Sequence, residues 1–234
     1  MELAQLAVFV RPPAEGAVKT RLQSLLGASG AAALYEAFVE DTIALCDRVR
    51  AAGRVDVALW ADGLEHEQVT RWGRALAAVP RLQPDGDLGV RMATAFDEGL
   101  CRYERVVIIG SDAPTLPLEL IVAAFNALDH APLVLGPAND GGYYAIGATH
   151  PTRPCFDGVR WSTPYSLSDT LVANSDLDVA LLPPWYDIDE PDDLDVLRAH
   201  LSVSPRAAPA TARCLRNLAP RSKIGLQQSR RPVA

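Results

Sequence analysis

The chain has little of what disulfide or zinc chemistry requires. Among 234 residues there are four cysteines and four histidines. Cys46, Cys101, Cys155 and Cys214 form no CxxC pair, and His66, His130, His150 and His200 show no ligand spacing. A disulfide framework and a zinc site are therefore not expected. No apolar run approaches the length of a bilayer span, so no membrane is expected as a partner. The opening segment, MELAQLAVFV, is too short and lacks the basic start of a signal peptide, so the cytoplasm is the expected compartment.

What is present is enough for a substantial core. Hydrophobic residues make up 49% and charged residues 22%, which excludes disorder by composition. The net charge of -7 is unevenly spread. From Ser202 onward there are seven Arg or Lys and no acid, which leaves about -14 on the remainder. Such a body is not expected to bind nucleic acid, and one that handles phosphates needs a local cationic pocket or a metal.

Apolar runs at Leu3–Val10, Val55–Trp60, Val106–Ile109, Leu133–Leu135, Tyr143–Ile146 and Val179–Leu182 read as strands, with a short one near Arg81–Gln83. Helical spacing predicts helices starting after Ser29, around Glu65–Ala77, over Leu88–Tyr103, from Pro117, after Ser162 and over Pro191–Leu201. Strands alternating with helices predict an α/β fold, a three-layer αβα sandwich. The run Val106–Ile109 has no polar alternation, as in a strand buried on both faces. The turn Asn139-Asp140-Gly141-Gly142 predicts a hairpin, so the sheet is mixed and mostly parallel. The expected domain is 1–201, and 202–234 reads as a basic, flexible tail.

Asp112 lies just past the strand Val106–Ile109, where ligands bind in open α/β sheets. Mg²⁺ takes hard oxygen ligands, often one or two carboxylates plus substrate phosphates. Asp112 serves equally well as a turn residue before Pro114. Asp187 and Asp189 precede a helix whose start Asp192 and Asp193 suit. Two alternate acids in an extended segment point the same way, which capping alone does not explain. The loop Arg11–Arg21 carries Arg11, Lys19 and Arg21, which suit phosphate oxygens. It is neither a Walker A loop, since Val18 stands where Gly must precede Lys, nor a GxGxxG loop. Gly141 and Gly142 serve a turn and also allow close approach of a ligand to the backbone. The loop Gln83–Arg91 leads into a helix N-terminus, which favours anions.

In order, PPAEGAVKTRL, DLGVRMATAF, VVIIGSDAPTLP, LGPANDGGYYAIG, WSTP and WYDIDEPDDL resemble the blocks of the rSAM/selenodomain-associated transferase family. Its members are GT-A-like and commonly labelled glycosyltransferases. The resemblance spans roughly residues 3 to 200. It implies the nucleotide-diphospho-sugar transferase (GT-A) fold. KTRL resembles the KSRL-type segment of 2-phospholactate guanylyltransferases, which implies Lys19 and Arg21 as phosphate ligands. SDAP stands where GT-A enzymes carry their metal-binding aspartate, which implies Asp112. IDEPDDL resembles the IDTPEDL segment of sugar cytidylyltransferases, which implies Asp187 or Asp189 as the second metal ligand.

The implied activity is transfer from a nucleotide or nucleotide-sugar donor to a small-molecule acceptor, with Mg²⁺ or Mn²⁺. Asp112 and Lys19 are the expected catalytic groups. Arg11, Lys19, Arg21, Gln83, Asp140, Gly141 and Gly142 are the expected nucleotide contacts, and Asp112, Asp187 and Asp189 the expected metal ligands. The family label implies glycosyl transfer and the KTRL segment nucleotidyl transfer. A catalytically silent nucleotide-binding module is the third reading.

Overall fold

The structure is a computed structural model and describes residues 4–218. Seven strands form one sheet: β1 (Ala4–Val10), β2 (Val55–Ala61), β3 (Arg81–Leu82), β4 (Arg105–Ile109), β5 (Leu133–Pro137), β6 (Tyr143–Thr149) and β7 (Val179–Leu181). Their order is β3-β2-β1-β4-β6-β5-β7. Only β6 runs against its neighbours, so the sheet is mixed and mostly parallel.

The helices are α1 (Gln23–Ala52), α2 (Glu67–Ala75), α3 (Leu88–Leu100), α4 (Leu118–Ala127), α5 (Ser166–Ala173), α6 (Pro191–Val203) and α7 (Pro209–Leu218). Because neighbouring side chains on a strand face opposite ways, β4 feeds two cores. Val107 and Ile109 pack with Phe38, Ile121 and Leu197 on the face of α1, α4 and α6. Val106 and Ile108 pack with Met92 and Phe96 of α3 on the other. That is the expected unbroken apolar strand at the centre of an αβα sandwich.

Topology sets the site. β1, β2, β3, β4, β5 and β7 share one direction, so the loops that follow them emerge at a single edge of the sheet. Those loops hold Arg11–Lys19, Asp62, Gln83, Asp112, Asp140–Gly142 and Asp187–Asp189.

Three expectations change. The helix expected after Ser29 begins at Gln23 and is broken at Gly27, whose φ of 70° only glycine adopts readily. The helix after Ser162 starts at Ser166; Ser162 itself has φ 58°. Part of the expected flexible tail is a helix: α6 runs to Val203, and α7 lies against α1. The Asp41 carboxylate on α1 accepts hydrogen bonds from Ala210 N (3.0 Å) and Thr211 N (2.8 Å), satisfying two orphan donors of the first turn of α7. The alternation of small and charged residues hid this helix, because its buried face is alanine and threonine rather than a run of large apolar side chains. Residues 219–234, the rest of the expected tail, lie outside the described residues.

Asp41→Ala should remove this cap and cost about 1 kcal/mol, the usual loss for a capping carboxylate. Chemical denaturation of the variant beside the parent chain measures it. An unchanged midpoint would mean that α7 is held by its apolar contacts alone.

Candidate active site

Lys19 is the centre of the edge. It ends the loop after β1 with φ 45° and ψ 46°, a left-handed conformation that non-glycine residues adopt sparingly. This turn sends its side chain under the loops rather than into solvent, leaving the side chain 4% exposed. The Lys19 amine pairs with Asp112 Oδ1 and donates to Asp189 Oδ1 at 2.6 Å. Burial alone would lower the pKa of this amine. The charges of Asp112 and then Asp189, with their hydrogen bonds, outweigh it and hold the amine protonated, well above the ordinary lysine value.

Asp112 and Asp189 meet because their backbones do. Ile188 N donates to Asp112 O at 3.0 Å, tying the loop after β4 to the segment after β7. That segment returns across the edge, pinned by Trp185 N to Pro137 O at 3.0 Å. Ile188 is fully buried in the core, and in an extended chain its two neighbours turn the other way. Asp187 and Asp189 therefore share a side, as their alternation predicts. Oxygens of Asp140, Asp187 and Asp189 lie within 4.8 Å of one another.

Burial, then the charges of Asp140, Asp189 and Asp112, push the Asp187 carboxyl up to about 7. The helix start behind these acids is closed from within: Asp193 Oδ2 accepts from Asp189 N (2.9 Å) and Glu190 N (2.6 Å) in a capping box. Asp193 is thus spent on capping, while Asp187 and Asp189 are left for other work.

The other expected residues divide. Arg21 is exposed and paired with Glu190 at 3.1 Å. Arg11 is also exposed, with Asp62 at 3.8 Å. Gln83, an expected nucleotide contact, braces the strand ends. It is 7% exposed, and its amide donates to Val10 O (3.1 Å) and Trp60 O (3.0 Å) while its oxygen accepts from Arg91 (3.2 Å). The Gln83 side chain is thus engaged by the chain itself. Gly141, another expected contact, is crowded on its Cβ side. Its φ is 88°, and a Cβ there would collide with the Pro164 carbonyl oxygen, so the room that glycine leaves is filled by this chain. Gly142 donates to Asp140 Oδ1 at 2.8 Å, which fixes the Asp140 side chain in the turn.

Sequence reasoning did not select Tyr35, Ser111, Asp62 or Arg91. Tyr35, on α1, is buried; its hydroxyl accepts from Arg11 N (2.9 Å) and shares a hydrogen bond with Ser111 Oγ (2.9 Å), joining the first loop to the residue before Asp112. Burial and then the charge of Asp112 push this phenol up to about 12. Arg91 donates to Asp62 Oδ2 at 3.0 Å. No local pattern marks these residues; each is defined by a partner far along the chain.

Residues 45–163 match DUF2064, described as an uncharacterized protein conserved in bacteria. A crystal structure from Desulfovibrio desulfuricans G20, called a "putative nucleotide-diphospho-sugar transferase", is 34% identical with a TM-score of 0.79, over 93% of this chain and 95% of that one. The chain belongs to the DUF2064 family. This DUF2064 chain also resembles two more distant structures. They are CMP:2-keto-3-deoxy-manno-octonic acid synthetase complexed with CTP and 4-diphosphocytidyl-2C-methyl-D-erythritol synthase from Anaerococcus prevotii DSM 20548. Each has a TM-score of 0.56 at 11% identity, over 86% of this chain and 99% of theirs. At that identity the likeness is one of fold. No curated protein matches the DUF2064 chain. Its architecture is the nucleotide-diphospho-sugar transferase fold that the sequence blocks imply.

The raised Asp187 carboxyl has a measurable consequence. An unfolded chain loses this proton near 3.8 and the folded one near 7, so between those values the folded state binds more protons and stability falls as pH rises. Denaturation at about pH 4, pH 5.5 and pH 7 should show that fall, and Asp187→Asn should flatten it. Equal slopes in the two proteins would show that another group sets the pH dependence.

Proposed function

We propose that this protein transfers a group from a nucleotide-activated donor with the help of Mg²⁺ or Mn²⁺. The observation that carries the reading is the Lys19 amine held between Asp112 and Asp189, beside Asp140 and Asp187, at the carboxyl edge of the sheet. The donor set fits such a cation: carboxylate oxygens from separate loops, converging on one place, are the hard ligands that Mg²⁺ and Mn²⁺ prefer. Asp140, Asp187 and Asp189 would hold it, and Asp112, paired to the same Lys19 amine as Asp189, would join them from the other side of that amine. When bound, the cation supplies charge neutralisation on the donor's phosphates.

The chain's own cations act beside it. The Arg11 and Arg21 guanidiniums stand exposed on the first loop and its following turn, where their forks suit phosphate oxygens. Lys19 and Arg21 then stabilise negative charge developing on the leaving phosphate. In the glycosyl form the sugar passes to an acceptor and a nucleoside diphosphate leaves. The name carried by the 34%-identical relative supports this form. In the nucleotidyl form a phosphorylated acceptor attacks the α-phosphate of a nucleoside triphosphate and pyrophosphate leaves. The Lys19-Thr20-Arg21-Leu22 segment favours that version. Membership in the rSAM/selenodomain-associated transferases is part of the same proposal and rests on the six ordered sequence blocks.

A screen of nucleoside triphosphates and nucleotide sugars by thermal shift, with and without Mg²⁺, tests the reading. A hit should raise the melting temperature only with metal. Asp112→Asn should abolish that response relative to its own unliganded melting temperature. Pyrophosphate release from a hit selects the nucleotidyl form, and nucleoside diphosphate release the glycosyl form. Nucleotide binding that ignores both metal and Asp112→Ala would instead mark a silent nucleotide-binding module.

A further inference from the structure

The ion pairs of Lys19 also govern how a cation can enter the site, a step that rests on the proposed function. The Lys19 amine hydrogen-bonds an oxygen of Asp112 and an oxygen of Asp189 together. Its side chain is 4% exposed, while the two carboxylates are 47% and 43% exposed. The acids can thus be reached from solvent and the amine cannot. A cation that bridges these two oxygens competes with the amine for them. Were the amine to stay, a divalent ion at Asp112 and Asp189 would face a full positive charge within a few ångströms. Were it simply to leave, it would be a buried ammonium stripped of both partners, a costly state.

We infer that Lys19 is an internal counter-ion that keeps free divalent cations from bridging Asp112 and Asp189, so that the site accepts the cation together with a phosphate. A phosphate oxygen arriving with the cation gives the displaced ammonium a new anionic partner, and the exchange leaves no charge unpaired. The species recognised is then a metal–phosphate complex, as in the metal-bound diphosphate portion of a nucleotide, rather than metal and nucleotide bound independently. The backbone at Lys19 suits a residue that changes partners. Its left-handed φ of 45° is sparsely populated, Gly16 three residues earlier has φ 81°, and Glu15, Gly16 and Ala17 are exposed. Lys19 also opens the three-residue turn Thr20–Leu22, which Leu22 N closes by donating to Lys19 O at 2.9 Å. Phe38, with its ring 5.8 Å from the amine, forms a fixed wall behind it.

The test reads Mn²⁺ itself, by the loss of the free-ion signal in electron paramagnetic resonance, so no knowledge of the donor is needed. Lys19→Met should bind Mn²⁺ alone about tenfold or more tightly than the parent chain, since a like charge has been removed from the site. Lys19→Gln, which keeps hydrogen-bonding capacity, guards against a packing defect in the Met variant and should show the same gain. In the double variant Lys19→Met with Asp112→Asn the gain should vanish, because the ion then lacks one of the two oxygens that the amine held. The parent chain should take up Mn²⁺ with inorganic pyrophosphate far better than Mn²⁺ alone, and Lys19→Met should lose most of that advantage.

Two results would overturn the inference while leaving the proposed function intact, provided the parent chain binds Mn²⁺ with pyrophosphate. In one, Lys19→Met and Lys19→Gln bind Mn²⁺ no more tightly than the parent. In the other, the gain survives Asp112→Asn and so reflects only a long-range field. If no form of the protein binds Mn²⁺, with or without pyrophosphate, the proposed function falls as well.

Discussion

One buried ammonium ion organises the working edge of this protein. A lysine amine removed from water is expensive to keep charged, by several kcal/mol even after relaxation. The fold meets that cost with two carboxylates from distant parts of the chain, Asp112 and Asp189, the latter 170 residues from Lys19. The dependence is mutual. Without Lys19, the loops after β4 and β7 would hold Asp112, Asp187 and Asp189 close together with no compensating charge beside Asp140. Burial first, and then the charges of Asp140, Asp189 and Asp112, raise the Asp187 carboxyl there.

Backbone contacts hold the arrangement alongside the charges. Ile188 is anchored in the core and donates its N–H to the Asp112 carbonyl, so the acids on either side are delivered to the edge whatever occupies it. Gln83 ties together the ends of β1, β2 and β3 in the same manner, and Tyr35 ties the first loop to Ser111. A frame of hydrogen bonds thus surrounds a small number of ion pairs. That division suits a site whose charged partners must change when a ligand arrives while its geometry stays fixed.

The fold was largely legible from the chain. Unbroken apolar strands, one Asp-Gly-Gly hairpin and helices between strands are local signals, and Val106–Ile109 at the sheet centre shows how directly such a signal translates. Position after a strand was legible too: Lys19, Asp112 and the alternating pair Asp187 and Asp189 were picked out by it, and the structure brings them to one edge. What lies opposite a residue was not legible. Gln83 looks like any polar loop residue until its amide is seen between two strand ends, and the space beside Gly141 turns out to belong to Pro164. Helix α7 escaped because alanine and threonine bury little area per residue, and the Asp41 carboxylate that caps it lies 169 residues away.

The amino-acid sequence by itself determined the layers, the direction of the chain through them and the residue types at the edge, because periodicity and turn chemistry act over a few residues. Only the tertiary structure decided which of those residues share a partner. Placing Lys19 between Asp112 and Asp189 required the strand order, the return of the segment after β7 and the exclusion of water from the amine. Each of these is a long-range consequence of packing, and electrostatic roles follow burial and distance rather than sequence spacing.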